Sequence, residues 1–165
     1  MGHQLLNKKN DMNDEYYEQD KFLTIAIMSE IMKEFLWPAS FTFDDTYPSE
    51  ISVIFPKSKF LFVEDFDGNI HLIFSNDNTK RESGKGNYTL VEAMTILLPE
   101  AKLNKDFQKP ILTDYSAEPS SLEKVKNSFR NLCIIMQTYL LPSVQGDFSW
   151  VERYDAYIRN KNNSQ

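Results

Sequence analysis

Cysteine is almost absent from this chain of 165 residues, and the scarcity excludes several classes of protein. Cys133 stands alone, so the chain has neither an internal disulfide framework nor a metal site made of several thiolates. No apolar run approaches the ~20 residues that a membrane-spanning helix needs. Five glycines and seven prolines are too few for collagen-like or low-complexity sequence, whereas 22 aromatic residues are too many for a disordered chain. The composition fits one ordinary globular domain.

The N-terminal residues also lack the apolar stretch of a secretory signal, so we expect a cytoplasmic protein. Residues 1–14 are polar and predict an N-terminal tail, residues 15–160 predict a single domain, and residues 161–165 predict a polar C-terminal tail.

Histidine is nearly as scarce, with His3 in the tail and His71 in a β-rich stretch. Metal sites rely on histidine or cysteine, and the chain has neither HExxH nor paired CxxC spacing. It also lacks the spacing of a phosphate-binding loop and the nucleophile elbow of serine hydrolases. Cys133 lies on an apolar helical stripe, which predicts a buried and unreactive thiol. We therefore expect no catalytic residue, metal or cofactor, although a cation site made of carboxylates alone stays open.

Helical spacing of apolar residues marks both ends of the chain. The pattern from Glu15 to Trp37 predicts an N-terminal helix that ends at Pro38. Capping boxes that begin at Thr89 and Ser120 predict two further helices, the second of which ends at Pro142. Asp147 is expected to cap a final helix. Three helices therefore follow the middle of the chain.

The middle of the chain has the alternation of β-strands. Residues 51–55, 59–66 and 69–75 predict antiparallel strands, and residues 41–43 predict an edge strand. Asp67-Gly68, between two β-rich runs, predicts a two-residue hairpin turn. The fold class is therefore α+β, with an N-terminal helix, a three- or four-stranded antiparallel meander, and then three helices packed on the sheet.

A two-residue turn fixes which side chains share a face of the hairpin. It places Glu64 opposite His71, as a cross-strand ion pair or an acid–base pair. Two sets of residues follow from this register. Leu61, Val63, Ile70, Leu72 and Phe74 lie on the face expected to carry the helices, and Phe60, Phe62, Glu64, His71 and Ile73 lie on the other. The second face is too apolar for solvent alone, so either another element covers it or it is a binding surface.

The chain is acidic, with a net charge of −6, and the acid is concentrated in the β-rich middle. Residues 41–77 hold seven acidic residues against two lysines. Nucleic-acid binders normally carry a basic stripe, so we expect no nucleic-acid partner. Two interpretations fit the acidic middle. It is either ordinary solvated surface or a docking face for a basic partner.

By its size, its acidity, its helix-then-meander layout and its lack of catalytic motifs, the chain resembles the small immunity proteins that bacteria pair with polymorphic or contact-dependent toxins. The resemblance implies a cytoplasmic binding protein that neutralises a cognate toxin domain, often a basic nuclease. The residues expected to bind the partner are those that concentrate the negative charge, together with two aromatic anchors: Asp44, Asp45, Glu64, Asp65, Asp67, Phe60 and Phe62. A small enzyme or ligand-binding domain with a pocket between sheet and helices, and a housekeeping adaptor, are the alternatives.

Overall fold

The computed structural model describes residues 21–47, 50–65, 67–76, 86–98 and 121–165, and within them the fold is α+β. The helices are α1 (Ile25–Met32), α2 (Leu90–Leu97), α3 (Leu122–Ile135) and α4 (Trp150–Asn163). The strands are β1 (Thr42–Tyr47), β2 (Glu50–Phe55), β3 (Ser58–Glu64), β4 (Ile70–Asn76) and β5 (Asn87–Thr89). The predicted class is confirmed, and so are the three antiparallel strands in the middle of the chain. The tail predicted at residues 1–14 lies outside the described residues.

Residues 15–20 of the predicted helix lie outside the described residues. Within the described residues, helix α1 is shorter than predicted, because side chains define both of its ends. The Thr24 hydroxyl accepts a hydrogen bond from the Ile27 N–H and caps the helix at its N-terminus. At the other end, the Met32 carbonyl accepts from the Trp37 indole N–H at 2.9 Å and from the Phe35 N–H at 3.2 Å. The chain therefore turns away from the helix well before Pro38.

The five strands form one antiparallel sheet in the order β1-β2-β3-β4-β5. The edge strand predicted at residues 41–43 is present as β1 and is longer than expected. Strand β5 was not predicted, because its three residues lie at the end of a long polar stretch whose composition is typical of a loop. Thr89 ends β5 and also caps α2, and its predicted capping box with Glu92 is confirmed.

The β3–β4 hairpin has a longer loop than predicted, and this changes its register. Strand pairing ends at Glu64 opposite Ile70, and the Asp65 N–H still donates to the Asn69 carbonyl at 2.9 Å, so the loop is longer than the two-residue turn predicted at Asp67-Gly68. The Asp65 carboxylate accepts hydrogen bonds from the N–H groups of Asp67 and Asn69, both at 2.9 Å, and this Asx-type turn forms the loop. The register is one residue away from the predicted one, which turns β3 over relative to β4. The predicted division between the two faces is therefore wrong for Phe60, Phe62, Glu64, Leu61 and Val63 of β3, and it is confirmed for β4, where Leu72 and Phe74 are buried on the covered face.

The face that carries the helices, which we call the inner face, forms the core. It presents Ile51, Val53, Phe55, Phe60, Phe62, Glu64, Leu72 and Phe74, all of them buried. Aromatic contacts join it to the helical layer. Phe62 meets Phe129 of α3 edge to face, with ring centroids 5.0 Å apart, and Phe74 lies 6.1 Å from Trp150 of α4. Within the sheet, the rings of Phe60 and Phe74 stack at 5.2 Å.

Helix α3 departs from its prediction at both ends. Ser121, not Ser120, caps it by accepting a hydrogen bond from the Lys124 N–H at 3.1 Å. The helix does not end at Pro142, since it continues through a π-helical turn (Met136–Leu140) into a last α-helical turn (Leu141–Val144). Pro142 stands in the first positions of that last turn, where its missing N–H costs no helical hydrogen bond. Cys133 is fully buried on this helix, as predicted.

The connection between α3 and α4 packs against the β2–β3 turn. Gly146 has φ of +90°, and a Cβ at this position would lie 2.7 Å from the Cβ of Lys57, so a side chain is excluded both by conformation and by space. The Asp147 carboxylate accepts from the Ser149 N–H just before α4, although Ser149 is the residue at the N-cap. Helix α4 continues to Asn163, into the segment expected as a polar tail.

Candidate interaction surface

The opposite side of the sheet, which we call the outer face, is the candidate functional surface. Its residues form three rows across the strands: Thr42, Ile54, Lys59, Ser75 and Asn87; Asp44, Ser52, Leu61, Ile73 and Thr89; Glu50, Val63 and His71. The sheet residues whose rings contact those of the described helices, Phe62, Phe74 and Tyr88, all lie on the inner face. Ile54, Leu61, Val63 and Ile73 are only half-buried, so an apolar centre of the outer face stays accessible.

Acidic side chains border this apolar centre. Asp44 lies beside it on the edge strand β1, and Glu50 lies on β2 in the row of Val63. Asp65 adds a third carboxylate at the margin, next to His71. Lys59 is the one lysine in the three rows. Within the three rows two carboxylates lie with one lysine, and Asp65 at the margin is paired with His71, so the outer face carries a modest excess of negative charge.

The pair formed by His71 and Asp65 is held in a defined geometry. The His71 Nε2 lies 2.9 Å from Asp65 Oδ2, while the other oxygen of Asp65 accepts the N–H groups of the loop. Partial burial opposes ionisation of Asp65, but the hydrogen bonds from His71, Asn69 and Asp67 prevail and lower the pKa of this carboxyl. The predicted pairing of His71 with Glu64 is wrong, because Val63 lies opposite His71.

Helix α3 anchors the hairpin loop from the side. The Lys124 side chain is 8% exposed, and its ammonium donates a hydrogen bond to the backbone carbonyl of Asp67. Asn69 and Gly68 are buried in the same loop. The acidic loop is therefore attached to the helical layer, and its shape is set by contacts on both sides.

Glu64, expected as a partner-binding acid, is a buried structural residue instead. It is 2% exposed on the inner face, where its carboxylate accepts hydrogen bonds from the backbone N–H groups of Phe22, at 2.9 Å and 3.0 Å, and Leu23, at 2.8 Å. The Lys21 ammonium donates to the Glu64 backbone carbonyl. Glu64 thus fastens the segment that precedes α1 to the end of β3, and a partner cannot reach its charge.

The two residues expected as aromatic anchors are also buried on the inner face, so that prediction is wrong as well. Phe60 and Phe62 are 0% and 1% exposed because the register places them on the inner face, under the helices. Of the remaining expected residues, Asp44 lies on the outer face, Asp65 lies at its margin, and Asp45 and Asp67 are exposed on the edge strand and on the hairpin loop. The structure thus brings Asp44 and Asp65 to one side of the sheet and removes three of the seven residues from the surface.

The sequence analysis missed Glu50 and the apolar centre. Glu50 was counted in the acidic stretch but not singled out, although it flanks Val63 in the observed register. Leu61 and Val63 were assigned to the covered face. The alternation along β3 does distinguish two sets of residues, and the aromatic set (Phe60 and Phe62) is the more bulky and apolar. That difference in size was the signal that could have placed it in the core.

No protein-family model, no curated protein and no solved structure matches this chain. The resemblance to immunity proteins therefore stays a prediction. In the described ranges, no three side chains of the histidine, cysteine, aspartate and glutamate types lie close enough to hold a metal ion together. The same ranges contain no helix long and apolar enough to cross a membrane.

The alternative prediction was a ligand pocket between the sheet and the helices, and the packing of side chains between these layers does not favour it. Phe55 meets Phe60 edge to face, Phe60 stacks on Phe74, and Phe74 lies tilted against Trp150 of α4, so buried rings are packed against one another between the two layers. A pocket of about 190 Å³ lies instead at the periphery, where the β2–β3 turn meets the end of α3. Only one ionisable side chain, that of Lys57, lines this pocket, so it offers few charged groups to orient a substrate. The lining residues are Ala39, Pro56, Lys57, Val144 and Gln145.

Proposed function

We propose that this protein is an immunity protein: it binds a basic toxin domain in the cytoplasm and neutralises it, and the outer face of the sheet is its binding surface. The observation that supports the proposal is the combination on that face of a half-buried apolar centre with the carboxylates of Asp44, Glu50 and Asp65. Apolar side chains supply affinity when they are buried by a partner, and the surrounding charge selects a partner of the opposite sign.

The apolar centre and the carboxylates around it should contribute differently to binding because of where they lie on the sheet. Leu61, Val63 and Ile73 lie in the middle of the sheet, where a partner would remove them from water completely. Burial of apolar surface contributes about 25 cal/mol per Å² before the costs of association are subtracted. The carboxylates lie around this centre and stay close to water, so they act mainly on the rate of encounter and on the rejection of acidic proteins.

The proposal is tested in two steps: the genes beside this one are searched for a toxin domain, and a domain found there is co-expressed with this protein. We expect the wild-type protein to restore growth of cells that make the toxin domain and to form a stable complex with it. Ile73→Arg places a cation in the apolar centre and should abolish both effects. Leu36→Arg makes the same change in charge at a residue that is 91% exposed away from the sheet, so this variant should protect as well as the wild type.

Thermal unfolding of both variants separates loss of binding from loss of folding. The proposal fails if the wild-type protein gives no protection, or if a folded Ile73→Arg variant protects fully. Equal loss of protection in both arginine variants would also contradict it, because the effect would then depend on net charge and not on the outer face.

A further inference from the structure

The hairpin loop between β3 and β4 is closed by its own polar groups. The Asp65 carboxylate accepts hydrogen bonds from the N–H groups of Asp67 and Asn69. The Asp65 carbonyl accepts from the N–H of Gly68 at 3.1 Å, and Gly68 has φ of +77°, which glycine adopts without strain. These contacts set the shape of the loop, but they do not fix where it lies relative to the helices.

Lys124 connects this loop to helix α3 from a position that is unusual for a lysine. It is the third residue of the helix, where the positive end of the helix dipole opposes a cation, whereas the preceding Glu123 has the charge that this end favours. Lys124 is also buried, although lysine side chains are rarely removed from water without a partner. Its ammonium donates to the Asp67 carbonyl, and a hydrogen bond from a charged donor helps to offset both costs.

The loop in turn carries one of the carboxylates of the candidate surface. Asp65 begins the loop, and its carboxylate lies 2.9 Å from the His71 ring at the margin of the outer face. The Lys124 ammonium binds the main chain of Asp67, two residues further on, so the loop is held by α3 on one side and by His71 on the other. A loop that is fixed before binding loses less entropy when a partner contacts it.

We infer that Lys124 is a positioning residue of the proposed binding surface: it holds the hairpin loop in the conformation that places the Asp65 carboxylate at the margin of the outer face. Its effect on binding rests on the proposed function, whereas its effect on the loop can be measured without a partner. Removal of the ammonium also makes the protein more acidic, which by charge alone would favour a basic partner. Loss of positioning predicts the opposite, a weaker complex, so the two effects differ in sign.

The test compares two lysine variants of the full chain by amide hydrogen exchange. Lys124→Met keeps an unbranched apolar stem and removes the ammonium. Lys126→Met makes the same change of charge on α3, and side chains two positions apart on a helix do not face the same way. Exchange at Gly68 and Asn69 should accelerate about tenfold in Lys124→Met and stay at the wild-type rate in Lys126→Met. Lys124→Gln, whose side chain is shorter and polar, should behave like Lys124→Met and replaces it if the methionine variant does not fold.

The toxin domain of the co-expression test gives the second measurement. Lys124→Met should bind it about threefold more weakly than the wild type, and Lys126→Met should bind it at least as tightly as the wild type. Unchanged exchange at Gly68 and Asn69 in a folded Lys124→Met variant would overturn the inference, whether or not the toxin domain binds. Binding by Lys124→Met as tight as that of the wild type would also overturn it, and the proposed function would then stand. Absence of binding by the wild type would instead refute the proposed function, and the exchange rates alone would decide whether Lys124 holds the loop.

Discussion

The buried carboxylate of Glu64 accepts a hydrogen bond from the backbone N–H of Leu23 at 2.8 Å, across 41 positions of sequence. The same carboxylate takes up the N–H of Phe22. Two main-chain donors that precede the first turn of α1 are thus satisfied by one side chain at the end of β3. A residue that belongs to the acidic stretch of the sequence is in this way a structural link between the sheet and the first helix.

Removal of this link should destabilise the protein strongly. We expect Glu64→Ala to lower the free energy of unfolding by about 2–4 kcal/mol, because it leaves buried N–H groups without an acceptor and opens a cavity. Urea unfolding measures the loss. Glu152→Gln, at an exposed position, serves as the control and should change the stability by no more than about 0.5 kcal/mol. Similar effects of the two substitutions would show that Glu64 is not buried.

The register of the hairpin can be tested with two neighbouring residues. Phe62→Ala should cost about 3–5 kcal/mol, because it empties a site that is 1% exposed against Phe129. Leu61→Ala, on the outer face, should cost no more than about 1.5 kcal/mol, since its side chain is only half-buried. Urea unfolding of the two variants gives the comparison. A larger loss of unfolding free energy in Leu61→Ala than in Phe62→Ala would contradict the observed register and support the one that a two-residue turn implies.

That comparison also shows how far the sequence determines this fold and where it does not. Alternation in the middle of the chain and the Asp67-Gly68 pair were enough to predict a hairpin, and the Thr89–Glu92 spacing was enough to predict the start of α2. The register was not predictable from these patterns, because it depends on the Asp65 side chain, which accepts the N–H groups of Asp67 and Asn69 and lengthens the loop. The end of α1 likewise depends on the Trp37 indole, whose N–H binds the Met32 carbonyl five residues earlier, a side-chain contact that helix propensity does not encode.

The prediction of the candidate surface was affected by the same one-residue difference in the hairpin register. The acidic stretch was recognised from composition, and Asp44 does lie on the outer face. A change of one residue in the register, however, turns β3 over relative to β4. It moved Phe60 and Phe62 inward and Leu61 and Val63 outward, while Leu72 and Phe74 of β4 stayed on the covered face as predicted.

Asp65 should make the stability depend on pH in the acidic range. Its pKa is lower in the folded protein than the value of about 3.9 for an unfolded aspartate, so its contribution is fully present above the unfolded value. The contribution is lost as the pH falls through the lower, folded pKa. Asp65→Asn should therefore reduce the stability at neutral pH and flatten its fall below pH of about 4. Urea unfolding as a function of pH checks this, and an unchanged acid limb in the variant would contradict the assignment.

Cys133 should be protected from thiol reagents in the native state. The residue is fully buried, and burial raises the pKa of its thiol well above the ordinary range, so very little reactive thiolate forms at neutral pH. Labelling with a chromogenic disulfide reagent should be slow in buffer and rapid in denaturant. Rapid labelling of the folded protein would mean that the apolar stripe of α3 does not face the core.

The central claim, that the outer face receives a basic partner, is tested most directly by the association rate with the cognate toxin domain at low and at physiological ionic strength. Neutralising the acids of this face with Asp44→Asn, Glu50→Gln and Asp65→Asn together should slow association about tenfold at low salt and remove most of its salt dependence. The charge-matched triple variant Glu30→Gln, Glu123→Gln and Glu152→Gln, whose acids are exposed on helices, should associate within about twofold of the wild-type rate. Equal rates for the outer-face variant and the wild type, or equal slowing in both triple variants, would contradict the account.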